Sequence, residues 1–417
     1  MKIYLETYGC SANQSDSEII LGILSEEHQI VDSPKSSDVN IINTCIVKSP
    51  TENRMKFRIK ELVSLGKPLI VAGCMPKAER DVVQKIAPNA SFIGPNSIHE
   101  ISKVVENVIN GKRIILLDDI RKPKVCLPKI RKNPIIDIVQ ISTGCLGNCY
   151  YCQTKLAKGK LFSYPKNLII KQIKNSLKDG VKEFWLTSQD TGCYGFDIGE
   201  NLPTLLDDIT KIKGKFFVRI GMMNPNHILE IYDKLIQFYK SEKIFKFIHI
   251  PVQSGSDKVL KKMNRRYSTK DFKKIVKDFR KEFEFLTIST DIIVGHPGER
   301  DADFRKTLQL LKTTKPDIVN VSKYWPRPGT ESSMMEQLER SVINERSMRI
   351  SKMVRKIEIE RNKIWLGWEG EVLIDEINEK GSIGRNEYYK PIVVEGKLGE
   401  IKQTKIKKIY QTYLRGF

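Results

Sequence analysis

Short apolar runs alternate with helix-forming stretches through most of the chain, and this alternation restricts the possible folds most strongly. In the first part the apolar runs are residues 3–6, 39–43, 68–73 and 90–94, and a helical pattern follows each of them. Parallel strands joined by helical crossovers produce this order, because a parallel connection needs a long return path. We therefore predict an open parallel α/β sheet for residues 1–118, with Ser15 or Asp16 capping the first helix.

The alternation resumes at Ile135, after a stretch that is basic and contains prolines. Residues 119–134 include Pro123, Pro128 and Pro134, which indicates a linker. Six strand candidates follow, at residues 135–142, 183–188, 215–221, 246–252, 286–295 and 317–324. Helical patterns lie between most of them, so residues 135–350 are predicted to form an open or partial (β/α)6 barrel.

The end of the chain follows a different pattern. A polar helical stretch near residues 337–362 precedes short strand-like runs that are separated by glycine turns. Such a pattern predicts a small β-barrel. We therefore assign residues 351–417 to a connecting helix and a C-terminal barrel.

The chain is strongly basic, with 71 Lys and Arg against 50 Asp and Glu and a net charge of +21. Residues 121–132 hold six basic residues and no acid, and residues 401–417 hold five basic residues and two tyrosines. A lysine-rich proteome would explain the charge without a function, whereas cations mixed with aromatic rings favour phosphates and stacked bases. Neither segment has the apolar face of a membrane-surface helix, so nucleic acid is the predicted partner.

The compartment follows from what the sequence lacks. No apolar run approaches the roughly 20 residues of a membrane helix, and the start, MKIYLETYGC, does not resemble a signal peptide. We expect an intracellular, cytoplasmic protein with no membrane association. Disulfides are rare in that compartment, so the eight cysteines indicate metal or redox chemistry.

Cys145, Cys149 and Cys152 form a C-x3-C-x2-C motif just after the first strand of the second α/β unit. Three thiolates this close can bind three irons of a cubane cluster and leave the fourth iron open. Structural zinc is the main alternative, but it requires four ligands, and no Cys or His lies between Cys152 and Cys193. The motif therefore favours an iron–sulfur cluster.

Cys10, Cys45 and Cys74 lie far apart in the sequence, yet each follows the carboxyl end of a predicted parallel strand. Taken singly, each could be an ordinary buried thiol. Since the carboxyl ends of parallel strands share one edge of the sheet, we predict that the three converge on a second cluster. Cys126 and Cys193 have no matching partners, and we interpret them as bystanders.

The two cysteine sets in this order, followed by a basic β-barrel, resemble the radical S-adenosylmethionine (SAM) methylthiotransferase family across essentially the whole chain. The motifs WLTSQDTGCYG (185–195) and GMMNP (221–225) are similar to the archaeal and eukaryotic branch that acts on N6-threonylcarbamoyladenosine in tRNA. One motif departs from the family pattern, since GHPGER has His296 in place of the usual Phe and Arg300 in place of a common Thr. We expect His296 to act as a planar replacement for that ring.

The resemblance implies an N-terminal domain with an auxiliary [4Fe–4S] cluster on Cys10, Cys45 and Cys74, and a radical SAM barrel with a second [4Fe–4S] cluster. It also implies a C-terminal, OB-like TRAM domain that binds RNA. The ligands of the barrel cluster would be Cys145, Cys149 and Cys152. Reductive cleavage of SAM would then produce a 5′-deoxyadenosyl radical, which suits the unactivated C2–H bond of adenine. The substrate would be the modified adenosine at position 37 in the tRNA anticodon loop, with an electron donor as a further partner.

Residues at strand ends are the expected contacts to SAM or substrate: Gln189, Arg219, Gln253, Ser254 and Gly295. Ordinary hydrogen bonding within loops is the alternative role for each of them. The carboxylate of the threonylcarbamoyl group calls for a cation, for which Arg219 and Arg327 are candidates. Two other functions are considered: the same chemistry on isopentenyladenosine or on a ribosomal-protein aspartate, and RNA binding with purely structural clusters.

Overall fold

The computed structural model describes residues 1–46, 49–379 and 381–417. The first part of the chain forms a six-stranded parallel sheet with the strand order β2-β1-β3-β4-β5-β6. Its elements are β1 (Lys2–Thr7), α1 (Ser11–Leu24), β2 (Gln29–Ile30), β3 (Val39–Thr44), α2 (Ser49–Ser64), β4 (Leu69–Gly73), α3 (Met75–Ala78), α4 (Arg80–Ile86), β5 (Ser91–Ile93), α5 (Ile101–Ile109) and β6 (Ile115–Leu116). The predicted open parallel sheet is confirmed.

Helices cover both faces of this sheet, which is why its central strands read as continuous apolar runs. On β3, Ile41 packs with residues of α1 and α5, whereas its neighbour Ile42 packs with residues of α2 on the opposite face. Both side chains are fully buried. Complete burial of an aliphatic side chain of this size stabilises a fold by about 1.5–3 kcal/mol.

The start of α1 differs from the prediction. The helix begins at Ser11, with Cys10 as its N-cap, so neither Ser15 nor Asp16 caps it. Ser15 instead donates a hydrogen bond to the carbonyl of Ile138, and Asp16 is buried inside the protein. These polar side chains read as cap signals locally, but long-range partners satisfy them.

The predicted linker contains no helix or strand between Leu116 and Ile136. It is nevertheless packed closely against the rest of the fold. Lys124 pairs with Asp16 at 2.6 Å, and Lys129 pairs with Asp137 at 2.7 Å. These linker cations therefore neutralise internal carboxylates and are not free for a nucleic acid.

The central part of the chain contains six parallel strands in two sheets, ordered β11-β10-β7 and β12-β13-β14. Its elements are β7 (Ile136–Gln140), β8 (Ser142–Thr143), α6 (Thr154–Lys158), β9 (Phe162–Ser163), α7 (Lys166–Lys178), β10 (Glu183–Thr187), α8 (Leu202–Thr210), β11 (Phe217–Ile220), α9 (Pro225–Ile228), α10 (Tyr232–Tyr239), β12 (Phe247–His249), α11 (Asp257–Lys262), α12 (Thr269–Glu282), β13 (Thr287–Val294), α13 (Asp301–Thr314) and β14 (Ile318–Lys323). A parallel bridge pairs Val218 of β11 with Ile244, which lies three residues before β12. This is the expected partial (β/α)6 arrangement.

A long helix, α14 (Arg340–Asn362), packs against β14 and α13 and leads to the C-terminal barrel. The barrel is closed, with the strand order β15-β16-β17-β19-β18. Its strands are β15 (Glu369–Asn378), β16 (Gly381–Asn386), β17 (Pro391–Val393), β18 (Ile401–Ile409) and β19 (Leu414–Gly416). Closure leaves no free sheet edge, and the predicted small barrel is confirmed.

The C-terminal barrel packs against the first strand of the central unit. Leu373 of β15 shares a buried apolar cluster with Ile136 and Ile138 of β7. None of the helices in the described part of the chain is both long and apolar enough to cross a membrane.

Candidate functional site

The structure brings Cys10, Cys45 and Cys74 to one edge of the N-terminal sheet. Cys45 directly follows β3 and Cys74 directly follows β4, while Cys10 lies between β1 and α1. The side-chain oxygen of Asn13 lies 3.7 Å from the sulfur of Cys10 and 3.9 Å from that of Cys74. A Cβ atom at Gly9 would lie 2.7 Å from the Cβ of Cys45, so this glycine leaves room for the thiol.

A buried, positively charged group adjoins these three cysteines. The carboxylate of Asp16 accepts hydrogen bonds from Lys124 at 2.6 Å, from Lys158 at 3.0 Å and from Gln140 at 2.7 Å. Both lysines and the aspartate are almost fully buried. Two ammonium groups therefore share one carboxylate in the interior, and one positive charge lacks a partner in this group.

The nearby thiols can supply the missing negative charge. Burial raises the pKa of Cys74 to about 12, and the positive charge of Lys158 opposes that rise. Burial would lower the pKa of Lys158, but Asp16 and the thiol sites of Cys74 and Cys10 raise it above its ordinary value. Thiolates that bind a metal cluster would neutralise the surplus charge, so the residues present fit an anionic iron–sulfur group.

We predict that Lys158→Met weakens iron binding at this triad. The substitution removes the ammonium group that faces the thiols, and a charge interaction at this depth is worth at least a factor of ten, or ~1.4 kcal/mol. Iron and sulfide per chain, measured after anaerobic reconstitution, should fall toward the value of one cluster. Lys160→Met is the matched control, because Lys160 is exposed only two residues away. Full iron content in the Lys158 variant would contradict the prediction.

The second cysteine set lies in the loop that follows β8. Gly144 has φ +76°, and a Cβ atom there would lie 2.0 Å from the carbonyl oxygen of Lys160, so the turn requires glycine. A Cβ atom at Gly147 would lie 3.2 Å from the sulfur of Cys145 and 3.7 Å from that of Cys149. The two thiols therefore flank Gly147, and its backbone N–H donates to the sulfur of Cys145 at 3.2 Å.

The third thiol completes this set. The N–H of Cys152 donates to the carbonyl of Cys149 at 3.0 Å, which folds the loop back on itself. Burial raises the pKa of Cys145 to about 12 and also raises that of Cys152. The arrangement offers three sulfurs within one tight turn, and this fits three ligands of a cubane cluster.

One short helix joins the two cysteine sets. It is α6, which starts two residues after Cys152 and packs against α3, the helix that follows Cys74. Ala157 on α6 lies in the same apolar cluster as Cys45 and Cys74. Lys158, the last residue of α6, reaches the charged group beside the first triad.

The five predicted SAM or substrate contacts occupy different surroundings. The side-chain oxygen of Gln189 accepts the N–H of Gly144 at 2.7 Å, so Gln189 holds the cysteine loop. Gln253 has φ +66°, and its buried side-chain oxygen has no hydrogen-bond partner among the described residues. Ser254 is fully buried and lies 3.5 Å from the hydroxyl of Thr307.

The remaining two contacts lie elsewhere. Gly295 has φ +80° and faces α14, where a Cβ atom would lie 2.5 Å from Ile343. Arg219 lies against the C-terminal barrel, with its guanidinium carbon 5.1 Å from the ring centre of Tyr389 and 5.0 Å from that of Trp185. The five residues therefore do not form one cluster.

Arg327 and His296 are both engaged within the fold. Arg327 forms a buried ion pair with Glu52 of α2. His296 is fully buried between Tyr151 and Tyr324, with ring centres 6.4 and 5.2 Å away. Its Nε2 lies 2.9 Å from the hydroxyl of Ser332, so the imidazole packs as a planar ring and also forms a polar contact.

We predict that His296→Phe makes the stability of the protein less dependent on pH. Burial lowers the pKa of His296 from 6.5 to about 4, so folding favours the neutral ring. The stability gained in this way is present above the unfolded pKa and is lost as the pH falls toward 4. Between pH 7.5 and 5.5 the wild type should lose about 1 kcal/mol more than the variant. Thermal unfolding at both pH values tests this, and identical losses in the two proteins would refute it.

The contacts of Asp190 and Cys193 gave no recognisable signal in the sequence. Asp190, which lies in a predicted substrate motif, accepts hydrogen bonds from the N–H groups of Gly192 and Asn224, and its carboxylate lies 2.7 Å from His227. The thiol of Cys193 donates to the carbonyl of Asp190 at 3.3 Å. These contacts give Cys193 a structural partner outside both triads.

The surface of the C-terminal barrel carries cations and rings together. Lys407 lies 5.0 Å from the ring centre of Phe417, and Arg415 lies 5.6 Å from it. The rings of Tyr410 and Tyr413 stack with centres 4.5 Å apart. An exposed combination of this kind suits phosphates and bases.

Comparison with known proteins agrees with this organisation. The family model for the radical SAM superfamily matches residues 139–311, that of the uncharacterized protein family UPF0004 matches residues 2–94, and that of the TRAM domain matches residues 366–416. A solved radical SAM methyltransferase, TsrM from Kitasatospora setae, superposes with a TM-score of 0.61 at 11% identity, covering 80% of this chain and 77% of its own. The fold and the cysteine loop therefore define a radical SAM protein with a TRAM domain.

Full-length relatives narrow the class. The chain is 43% identical to the "Probable threonylcarbamoyladenosine tRNA methylthiotransferase" of Pyrococcus horikoshii, over all of this chain and 99% of that protein. It is 38% identical to the "Threonylcarbamoyladenosine tRNA methylthiotransferase" of Homo sapiens, over 94% of this chain and 69% of that protein. The chain belongs to the radical SAM methylthiotransferase family, in its threonylcarbamoyladenosine tRNA branch.

Proposed function

We propose that this enzyme converts N6-threonylcarbamoyladenosine at position 37 of tRNA into its 2-methylthio derivative by radical SAM chemistry. The observation that carries the proposal is that α6, which follows Cys152, packs against α3, which follows Cys74, and so connects the two cysteine triads. A reaction that inserts sulfur at a carbon needs a radical source and a sulfur source close together. The family relationship supplies the substrate class.

The two triads have different tasks. A [4Fe–4S] cluster held by Cys145, Cys149 and Cys152 would supply the electron for SAM cleavage, and the radical produced suits the C2–H bond of adenine. A second SAM molecule would supply the methyl group. A second [4Fe–4S] cluster, held by Cys10, Cys45 and Cys74, is the proposed sulfur site. The protein's own residues hold these groups in place and exclude water from them.

Specific residues perform this holding role. Gly144 and Gly147 allow the cysteine loop to turn tightly, and Gln189 fixes the loop through the N–H of Gly144. At the other triad, Asn13 contacts two of the thiols, and Lys158 supplies positive charge. Gln253 offers a buried oxygen that has no hydrogen-bond partner among the residues that the structure describes and that suits a polar group of SAM or substrate.

The C-terminal barrel is the proposed tRNA-binding surface. Lys405, Lys407 and Lys408 on β18 are exposed, and Tyr410 and Phe417 add exposed rings at the same end of the chain. Phosphate contacts from this surface would position the anticodon loop without reading its sequence. An external electron donor and a cytoplasmic location complete the proposal.

Turnover of defined tRNAs tests the proposed substrate. Reconstituted enzyme, SAM and reductant should convert tRNA that carries N6-threonylcarbamoyladenosine, and mass spectrometry of the nucleosides should detect the 2-methylthio product. The same tRNA without the threonylcarbamoyl group should react poorly, because a site that pairs its carboxylate discriminates by up to ~10⁴. The control is the triple variant Cys145, Cys149 and Cys152→Ala, which should give no product.

Two outcomes would contradict the proposal. Equal turnover of modified and unmodified tRNA would show that the enzyme does not recognise the threonylcarbamoyl group. Preference for isopentenylated tRNA, or for a ribosomal-protein aspartate, would assign the same chemistry to another substrate.

A further inference from the structure

A turn between α11 and α12 contacts the second cysteine loop at three consecutive residues. The carbonyl of Met263 accepts the N–H of Tyr150 at 3.1 Å. The side-chain amide of Asn264 donates to the carbonyl of Asn148 at 2.7 Å. Next to them, Nη1 of Arg265 donates to the sulfur of Cys149 at 3.1 Å. The turn therefore fixes the loop and also places a cation on one of its thiols.

The guanidinium of Arg265 is held in a single orientation. Its Nη2 donates to the side-chain oxygen of Asn224 at 2.8 Å, and its Nε donates to the hydroxyl of Tyr267 at 3.0 Å. The backbone N–H of Asn224 in turn donates to the carboxylate of Asp190 at 3.1 Å. Because each neighbour is itself anchored, the N–H that points at Cys149 is directed by the fold.

Within the described part of the chain, the charge of Arg265 has no carboxylate partner. Among the described residues, no Asp or Glu forms an ion pair with it, and the atoms around it are an amide oxygen, a hydroxyl, a carbonyl and the sulfur. A half-buried guanidinium with neutral oxygen partners is poorly compensated. A thiolate at Cys149 is therefore the anion that this group is placed to meet.

We propose that Arg265 is a positioning residue that sets the reduction potential of the cluster held by Cys145, Cys149 and Cys152. The inference rests on the proposed function, since it requires a cluster at these cysteines. Reduction takes up one electron from an external reductant and makes the cluster more negative. A positive N–H donor on a ligand sulfur stabilises that reduced form, so Arg265 raises the potential.

The alternative is that Arg265 has only a structural role and connects two loops. Asn264 and Met263 already make that connection, and they do so without charge. A purely structural role would alter stability or iron content and would leave the potential of the bound cluster unchanged. The potential is therefore the measurement that separates the two roles.

The test is a redox titration of full-length, reconstituted protein, followed by electron paramagnetic resonance with dithionite and mediators. A background with Cys10, Cys45 and Cys74→Ala isolates the signal of the second triad. In Arg265→Gln the ratio of reduced to oxidised cluster at a given potential should fall at least tenfold, which for one electron is a drop in midpoint potential of about 59 mV. Arg266→Gln is the matched control, because Arg266 is the exposed neighbour, and it should leave the potential unchanged.

Arg265→Lys keeps the positive charge but loses the planar guanidinium whose N–H groups the fold directs. It should therefore lower the potential by less than Arg265→Gln. If Arg265→Gln does not retain iron, the potential measured in Arg265→Lys tests the inference in its place. An unchanged potential in whichever variant retains its iron would overturn the inference. Failure of the proposed function looks different, because the protein with Arg265 intact would then show no reducible cluster signal at the second triad.

Discussion

Three distant parts of the chain meet at the carboxylate of Asp16. Lys124 comes from the linker, Lys158 from α6 and Gln140 from β7, and all of them donate to this one side chain. The site is almost fully buried, so removing Asp16 would leave two ammonium groups without a counter-charge, and such a loss costs about 3–5 kcal/mol. The relative placement of the N-terminal sheet and the central barrel depends on this contact.

The same contact lies between the two cysteine triads. Lys158 is the last residue of α6, the helix that follows Cys152, and α6 packs against α3, the helix that follows Cys74. The surplus positive charge then faces the first triad. Arg265 supplies a comparable cation to the second triad, through Cys149. Each set of thiols therefore has a cation from a neighbouring element, as anionic metal groups require.

The sequence predicted those features that repeat or that have local spacing. The parallel sheet and the partial barrel followed from the alternation of apolar runs and helices. The placement of Cys10, Cys45 and Cys74 at one edge followed from the rule that parallel strands end on the same side. The C-x3-C-x2-C motif could be recognised without knowledge of the fold, because its three thiols lie within one turn.

The polar contacts between these parts could not be predicted in the same way. Asp16 lies 108 residues from Lys124 and 142 from Lys158, and no local pattern encodes a pair at such separations. Asp16 therefore resembled a helix cap, and the linker lysines resembled an RNA-binding segment. Arg265 lies 116 residues from Cys149, and no local pattern indicates that the two side chains meet.

The central claim is that the two proposed metal sites lie close together in one folded unit. Electron paramagnetic resonance of the fully reduced protein tests it most directly, because two nearby paramagnetic clusters broaden or split each other's signals. We expect such magnetic coupling in the intact enzyme and its loss when either cysteine triad is replaced by alanine. A spectrum equal to the sum of the two single-triad variants would contradict the account.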